Sequence, residues 1–263
     1  MPLSSTNTVP LSRPKRFSEV LGLWIGGVMA PAVAIGSALR RRRIFHPRGV
    51  YFRAEVEAAQ DLGAPFSALA QGLAEGDTLV RVSAGMWNTE TGVLPDLLGV
   101  ALRFNTAADA GYIPQAGTQD LLLVTAESLF TLLPAALATN QRDFLANVYH
   151  GMARFELAGQ ANMRLRLVPL TQFAGNASNR YDKLRDAVAH AEVVFRLEAA
   201  SESNLTQWIP LVRITLKNEV ILDDRSVEFW PFRAAQGIRP QGLVQFTRPV
   251  PYLSSQWARS LFK

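Results

Sequence analysis

His46 lies in the stretch Arg43-Ile44-Phe45-His46-Pro47-Arg48-Gly49, directly before the alternating run Val50-Tyr51-Phe52-Arg53-Ala54-Glu55-Val56. It is one of three histidines in the chain. Imidazole titrates near neutrality, so a histidine at the entrance to a strand is a candidate general acid and base. Near the other end, Arg248-Pro249-Val250-Pro251-Tyr252 sets an arginine one helical turn ahead of a tyrosine, and Arg259 follows two turns later. On a helix, Tyr252 and Arg259 share a face. A guanidinium beside a phenol favours the phenolate, and phenolate is a hard anionic ligand suited to ferric iron. The chemistry on offer is proton relay at His46 and metal ligation at Tyr252.

Composition narrows the rest. The chain has 263 residues, 48% of them hydrophobic, which suits one large domain or a domain with an extension. It has no cysteine, which excludes disulfides, thiolate metal sites, cysteine-ligated haem and iron–sulfur clusters. The net charge is +5, and arginine outnumbers lysine, which suits bidentate binding of carboxylate or phosphate. The basic residues are not interleaved with aromatics in a repeated way, so nucleic acid is not expected as a partner.

Residues 1–42 form an N-terminal arm. Its run from Val20 to Leu39 carries no charge and is followed by Arg40-Arg41-Arg42-Arg43. That length matches a bilayer core, with the arginines on the cytoplasmic side, which favours the cytoplasm or the cytoplasmic face of a membrane. Its glycines and Pro31 fit a packed, broken helix or an apolar strap equally well.

Beyond residue 43, short apolar or alternating runs at 50–57, 78–83, 98–105, 120–125, 191–199, 209–217 and 225–230 read as strands. Glu127 to Tyr149 reads as helical with a break near Thr139-Asn140, Asn179 to Ala191 as a second helix, and 251–262 as an amphipathic closing helix. His150 and His190 then fall at helix ends, where a cation complements the dipole. The expected class is α+β: an antiparallel β-barrel over residues 43–263 with inserted and C-terminal helices.

The ordered motifs resemble those of the haem catalase superfamily. Arg43-Ile44-Phe45-His46-Pro47-Arg48-Gly49 is similar to the family's R-V-V-H-A-K-G segment, and Val80-Arg81-Val82-Ser83 to its V-R-F-S. Pro95 to Phe104 resembles the D-x-R-G-F-A-x-K-F strand, and Leu121 to Phe130 the F-F-I-R-D-x-x-x-F segment. Gly237-Ile238-Arg239-Pro240 then leads into R-x-x-x-Y and a trailing arginine. The resemblance implies haem b with ferric iron as cofactor. His46 would be the distal acid/base and Ser83 its hydrogen-bond partner. Tyr252 would ligate the iron, with Arg248 keeping it ionised. Arg43, Arg81 and Arg259 would pair with the haem propionates, and Phe130 would pack on the porphyrin. The histidine would move a proton from one peroxide oxygen to the other as the O–O bond breaks.

Three departures shape the expected activity. The family's distal asparagine falls near Ala116 or Gly117, with only Gln115 and Gln119 close by. Phe45 stands where a valine would, crowding the histidine, and Pro249 and Pro251 place the start of the last helix inside the R-x-x-x-Y stretch. These features resemble the small catalase-related proteins that reduce or rearrange organic and lipid hydroperoxides, rather than efficient hydrogen peroxide dismutases. Expected partners are therefore a peroxide or lipid hydroperoxide, a membrane reached through 20–39, and further copies of the chain in a homo-oligomer. A degenerate barrel that binds lipid or another small molecule without haem chemistry is the alternative. A third reading is a membrane-bound structural partner of another redox protein.

Overall fold

In the computed structural model of the chain, the described residues are 49–85, 95–223 and 227–242. They hold ten strands: β1 (Gly49–Ala58), β2 (Asp77–Ala84), β3 (Leu98–Thr106), β4 (Gln119–Val124), β5 (Tyr149–His150), β6 (Arg154–Leu157), β7 (Gln160–Pro169), β8 (Val193–Ser201), β9 (Ile209–Val220) and β10 (Ile238–Gln241). The helices among them are α1 (Phe66–Leu73), α2 (Leu132–Ala138) and α3 (Arg180–His190). The strands pair antiparallel in the order β7-β5-β4-β3-β2-β1-β9-β8, and β8 pairs back onto β7. The result is a closed eight-stranded barrel, with β6 and β10 added beside β7. The expected α+β barrel class is the observed one.

The pleat explains which side chains fill it. Successive residues of a strand point to opposite faces, and Val80 and Val82 of β2 join Val50, Phe52, Leu102, Phe104, Leu121 and Leu123 in one buried core. Tyr149, Leu165, Leu167, Leu197, Val212 and Ile214 complete it from the remaining strands. The alternate residues, Tyr51, Leu79, Arg81 and Ser83, belong to the opposite face, where Tyr51 and Leu79 cluster with Tyr112, Val227 and Phe229. Helix α3 starts on Asn179, whose side chain accepts from Tyr181 N and Asp182 N. It packs Tyr181, Leu184 and Ala187 into the core.

Several expectations are corrected here. Residues 227–230 form no strand. They lie over the outer face of the barrel and are held by an ionic cluster rather than by a ladder. Arg103 and Asp120, each 1% exposed, face each other across β3 and β4. Arg103 Nε donates to Asp120 Oδ1 at 2.9 Å and its Nη2 to Oδ2 at 3.1 Å. Trp230 N donates to the same carboxylate at 2.8 Å, as does Arg233 Nη1, and Arg103 also donates to the Glu228 carbonyl. The guanidinium lies 4.7 Å from the centroid of the Phe229 ring.

The long helix expected over 127–149 is only α2 flanked by single 3-10 turns at Leu129–Thr131 and Phe144–Ala146. His150 is a strand residue of β5, paired with Val124 and Arg166, not a helix end. His190 does close a helix, with Nδ1 2.9 Å from the Asp186 carbonyl oxygen. The apolar run 20–39 and the closing helix expected at 251–262 lie outside the described residues. No helix among the described residues is long and apolar enough to cross a membrane.

Removing one partner of a buried pair leaves an uncompensated charge, which costs about 3–5 kcal/mol. Asp120→Ala is therefore expected to lose about that much stability in urea unfolding, because two guanidinium groups and a backbone amide converge on the carboxylate. A loss no larger than that of an exposed ion pair would show that the cluster does not fasten 227–233.

Candidate functional site

Strand β2 places Arg81 and Ser83 on the same outward face, both 3% exposed. The antiparallel register sets their neighbours. Gly49 and Gly99 flank Ser83, while Tyr51 and Ala101 flank Arg81. Three of these four neighbours carry no more than a methyl group, so the face is low in relief beside a hydroxyl and a guanidinium. Arg81 Nε donates to Tyr51 Oη at 3.1 Å, and the guanidinium carbon is 5.6 Å from the centroid of that ring.

Gly49 has a steric reason. A Cβ there would lie 2.6 Å from Arg81 Cζ and Nε, inside contact distance. The guanidinium therefore occupies the space that any other residue at 49 would fill. The far end of β2 is fixed one residue past Ser83, where Ala84 N donates to Tyr181 Oη of α3 at 3.3 Å. The site is thus carried by rigid strands and pinned by a helix.

Of the residues singled out in the sequence, Arg81 and Ser83 are brought together. His46, Arg43, Arg248, Tyr252 and Arg259 lie outside the described residues. Phe130 sits in the 3-10 turn after β4, 96% exposed, and the described contacts do not join it to Arg81 or Ser83. Gln115 and Gln119 have other work. Gln119 Nε2 donates to the carbonyls of Asp120 at 2.8 Å and Arg233 at 3.0 Å, and its Oε1 accepts from Ala235 N at 2.7 Å. Gln115 Nε2 reaches the Asn105 carbonyl at 3.5 Å.

The sequence reading missed Tyr51 and Gly49 as parts of the site. The signal was the strand alternation itself, which places residues 49 and 51 opposite 83 and 81 once β1 and β2 form a hairpin-like pair. It also missed a second polar cluster on the far side of the barrel. Glu198, 2% exposed, accepts from Arg166 and Arg196 at 2.5 Å each, and Arg166 lies 4.0 Å from the Trp208 ring centroid. His150 is adjacent to Arg166 in register. Burial holds its imidazole below the ordinary value, against the upward pull of Glu127 at 3.9 Å. One hollow of about 770 Å³ opens between α3 and β9, over Phe52, Val188 and Leu216, and none of the described site residues Arg81, Ser83 and Phe130 lines it.

Among known proteins, no family model and no curated sequence matches the chain. Solved structures do. Catalase A from Saccharomyces cerevisiae superposes with a TM-score of 0.55 at 11% identity, over 83% of this chain and 61% of that one. A fungal catalase superposes with a TM-score of 0.52 at 10% identity, over 80% of this chain and 57% of its own. The chain therefore has a catalase-like fold. It spans about three-fifths of the length of these neighbours.

Gly49→Ala is expected to push the Arg81 guanidinium off Tyr51 Oη and to cost about 1 kcal/mol, the worth of one ordinary hydrogen bond. A crystal structure of the variant and its urea midpoint check both. An unmoved guanidinium would mean that the backbone yields instead.

Proposed function

We propose that the chain is a haem b-dependent oxidoreductase that reduces or rearranges peroxides, with organic or lipid hydroperoxides preferred over efficient dismutation of hydrogen peroxide. What carries this reading is the combination of a catalase-like barrel with Arg81 and Ser83 side by side on one buried, low-relief face. The described part of the site suits the group. A planar macrocycle needs a shallow face, and its propionates need cations. Gly99 and Ala101 supply the first and Arg81 the second. The remaining donors implied by the resemblance suit it too, since a tyrosinate beside arginine is a fitting ligand for ferric iron.

Bound haem would supply the redox chemistry of the iron; the chain would supply orientation and proton transfer. In this reading Tyr252 would hold the iron, Arg248 would keep the phenol ionised, and Arg43, Arg81 and Arg259 would share the propionates. Ser83 orients His46, whose imidazole accepts a proton from one peroxide oxygen and returns it to the other. Phe130 adds an apolar contact at the rim. The commitment of Gln115 and Gln119 to backbone carbonyls argues against a side-chain amide as a second peroxide clamp. That favours peroxides held by their own organic substituent. The second reading, a barrel that binds lipid or another small molecule without haem, predicts a colourless protein.

The absorption spectrum of protein purified with ample haem supply tests the proposal. A ferric haem band is expected, lost or displaced in Tyr252→Phe. His46→Ala is expected to retain the haem and to slow its reaction with an organic hydroperoxide by about 10²–10⁴-fold, the usual worth of a positioned acid/base. A colourless wild type, or a tyrosine variant with unchanged haem and spectrum, would overturn the assignment.

A further inference from the structure

From Ser128 to Gln141 the chain carries no charged residue, yet this stretch is on the surface. None of the residues of α2 is buried. Leu133 is 73% exposed and Leu137 67% exposed; the two sit one turn apart on one flank, beside the almost fully exposed Phe130. The helix is inverted relative to an ordinary surface helix, which turns its leucines inward. Its polar groups make the attachments. Thr139 Oγ1 donates to Thr125 Oγ1 at 2.8 Å, and the Gln141 amide donates to the carbonyl oxygen of Asp96. A reciprocal Ser128–Thr131 capping box closes the 3-10 turn that precedes the helix.

We propose that this segment is a lipid-contact element, a shallow apolar wedge that enters the interfacial layer of a membrane with Leu133 and Leu137 leading. Area separates a bilayer from a protein partner. The two protruding leucines offer at most a few hundred Å², short of the roughly 800 Å² per partner that a stable protein interface needs. A bilayer demands no complementary surface. The helix is too short to span the apolar layer, so it lies in its plane. A single weak anchor binds lipid reversibly, and two give stable attachment. The chain carries a second charge-free run, Val20 to Leu39, followed by Arg40 to Arg43. The proposal stands independently of haem, and Phe130 is left untouched in its test.

The chain contains no cysteine, so Leu137→Cys accepts a single environment-sensitive fluorophore on the full-length protein. With vesicles of phosphatidylcholine containing a minority of phosphatidylglycerol, the emission is expected to shift to the blue and to be quenched by brominated acyl chains. Leu133→Ser combined with Leu137→Ser is expected to lower vesicle partitioning about ten-fold, given the worth of burying two leucines even partly. Haem content and melting temperature should be unchanged, because both side chains are exposed. Co-flotation with an unmoved emission would place the membrane contact elsewhere and overturn the proposal. So would an absence of vesicle binding, or an emission that shifts with protein concentration alone, which would make a second copy the occupant.

Discussion

A sheet that closes on itself has one inside and one outside, and the two-residue pleat then assigns every strand residue to one of them. In β2, Val80 and Val82 fall to the core, so Arg81 and Ser83 cannot. A shift of one residue in the β1–β2 register would bury a guanidinium among valines and expose the valines in exchange, at a cost of many kcal/mol. The hydrophobic core thereby fixes the candidate site without touching it. Ser83 stands opposite Gly49, three residues beyond His46, because Val82 must stand opposite Val50.

Closure creates a second demand. A barrel whose outer face carries Tyr51, Leu79 and two arginines must have that face covered, since exposed apolar area and buried charge are both costly. The segment after β9 does this. Val227 and Phe229 cluster with Tyr51 and Leu79, while Asp120, held by Arg103 and Arg233, accepts from Trp230 N, and Arg103 donates to the Glu228 carbonyl. Segment 227–233 is therefore specified by ionic and backbone contacts rather than by strand pairing, although its side chains look like those of a strand.

That distinction explains what the sequence made legible. The long strands β1, β3, β8 and β9 were visible because their apolar residues recur with the pleat or run continuously. The pattern Met163, Leu165, Leu167, with Arg164 and Arg166 between them, marks β7 just as clearly. Alternation in 225–230 misled for the opposite reason: periodicity reports a buried face, and whether a ladder or a clamp buries it depends on Asp120, more than a hundred residues away. Helix α1 follows Gly63-Ala64-Pro65 directly, its short apolar face too brief to announce a helix. For the site, the ordered motifs located Arg81 and Ser83. Tyr51 and Gly49 required the register, which a single sequence does not state.

The fate of Gln119 has the widest consequence for the proposed chemistry. Its side chain accepts from Ala235 and donates to two carbonyls, so all of its polar atoms serve to hold the 233–235 segment against β4. Turning that amide away would strand buried backbone groups at about 1–3 kcal/mol each. Under the proposed function His46 alone handles the proton, and binding selectivity then comes from the rest of the substrate molecule. Hydrogen peroxide has no such remainder, whereas a hydroperoxide on a long acyl chain does. Under the proposed function, the missing amide and the preference for organic peroxides are then one property, set by how the outer segment is fastened to the barrel.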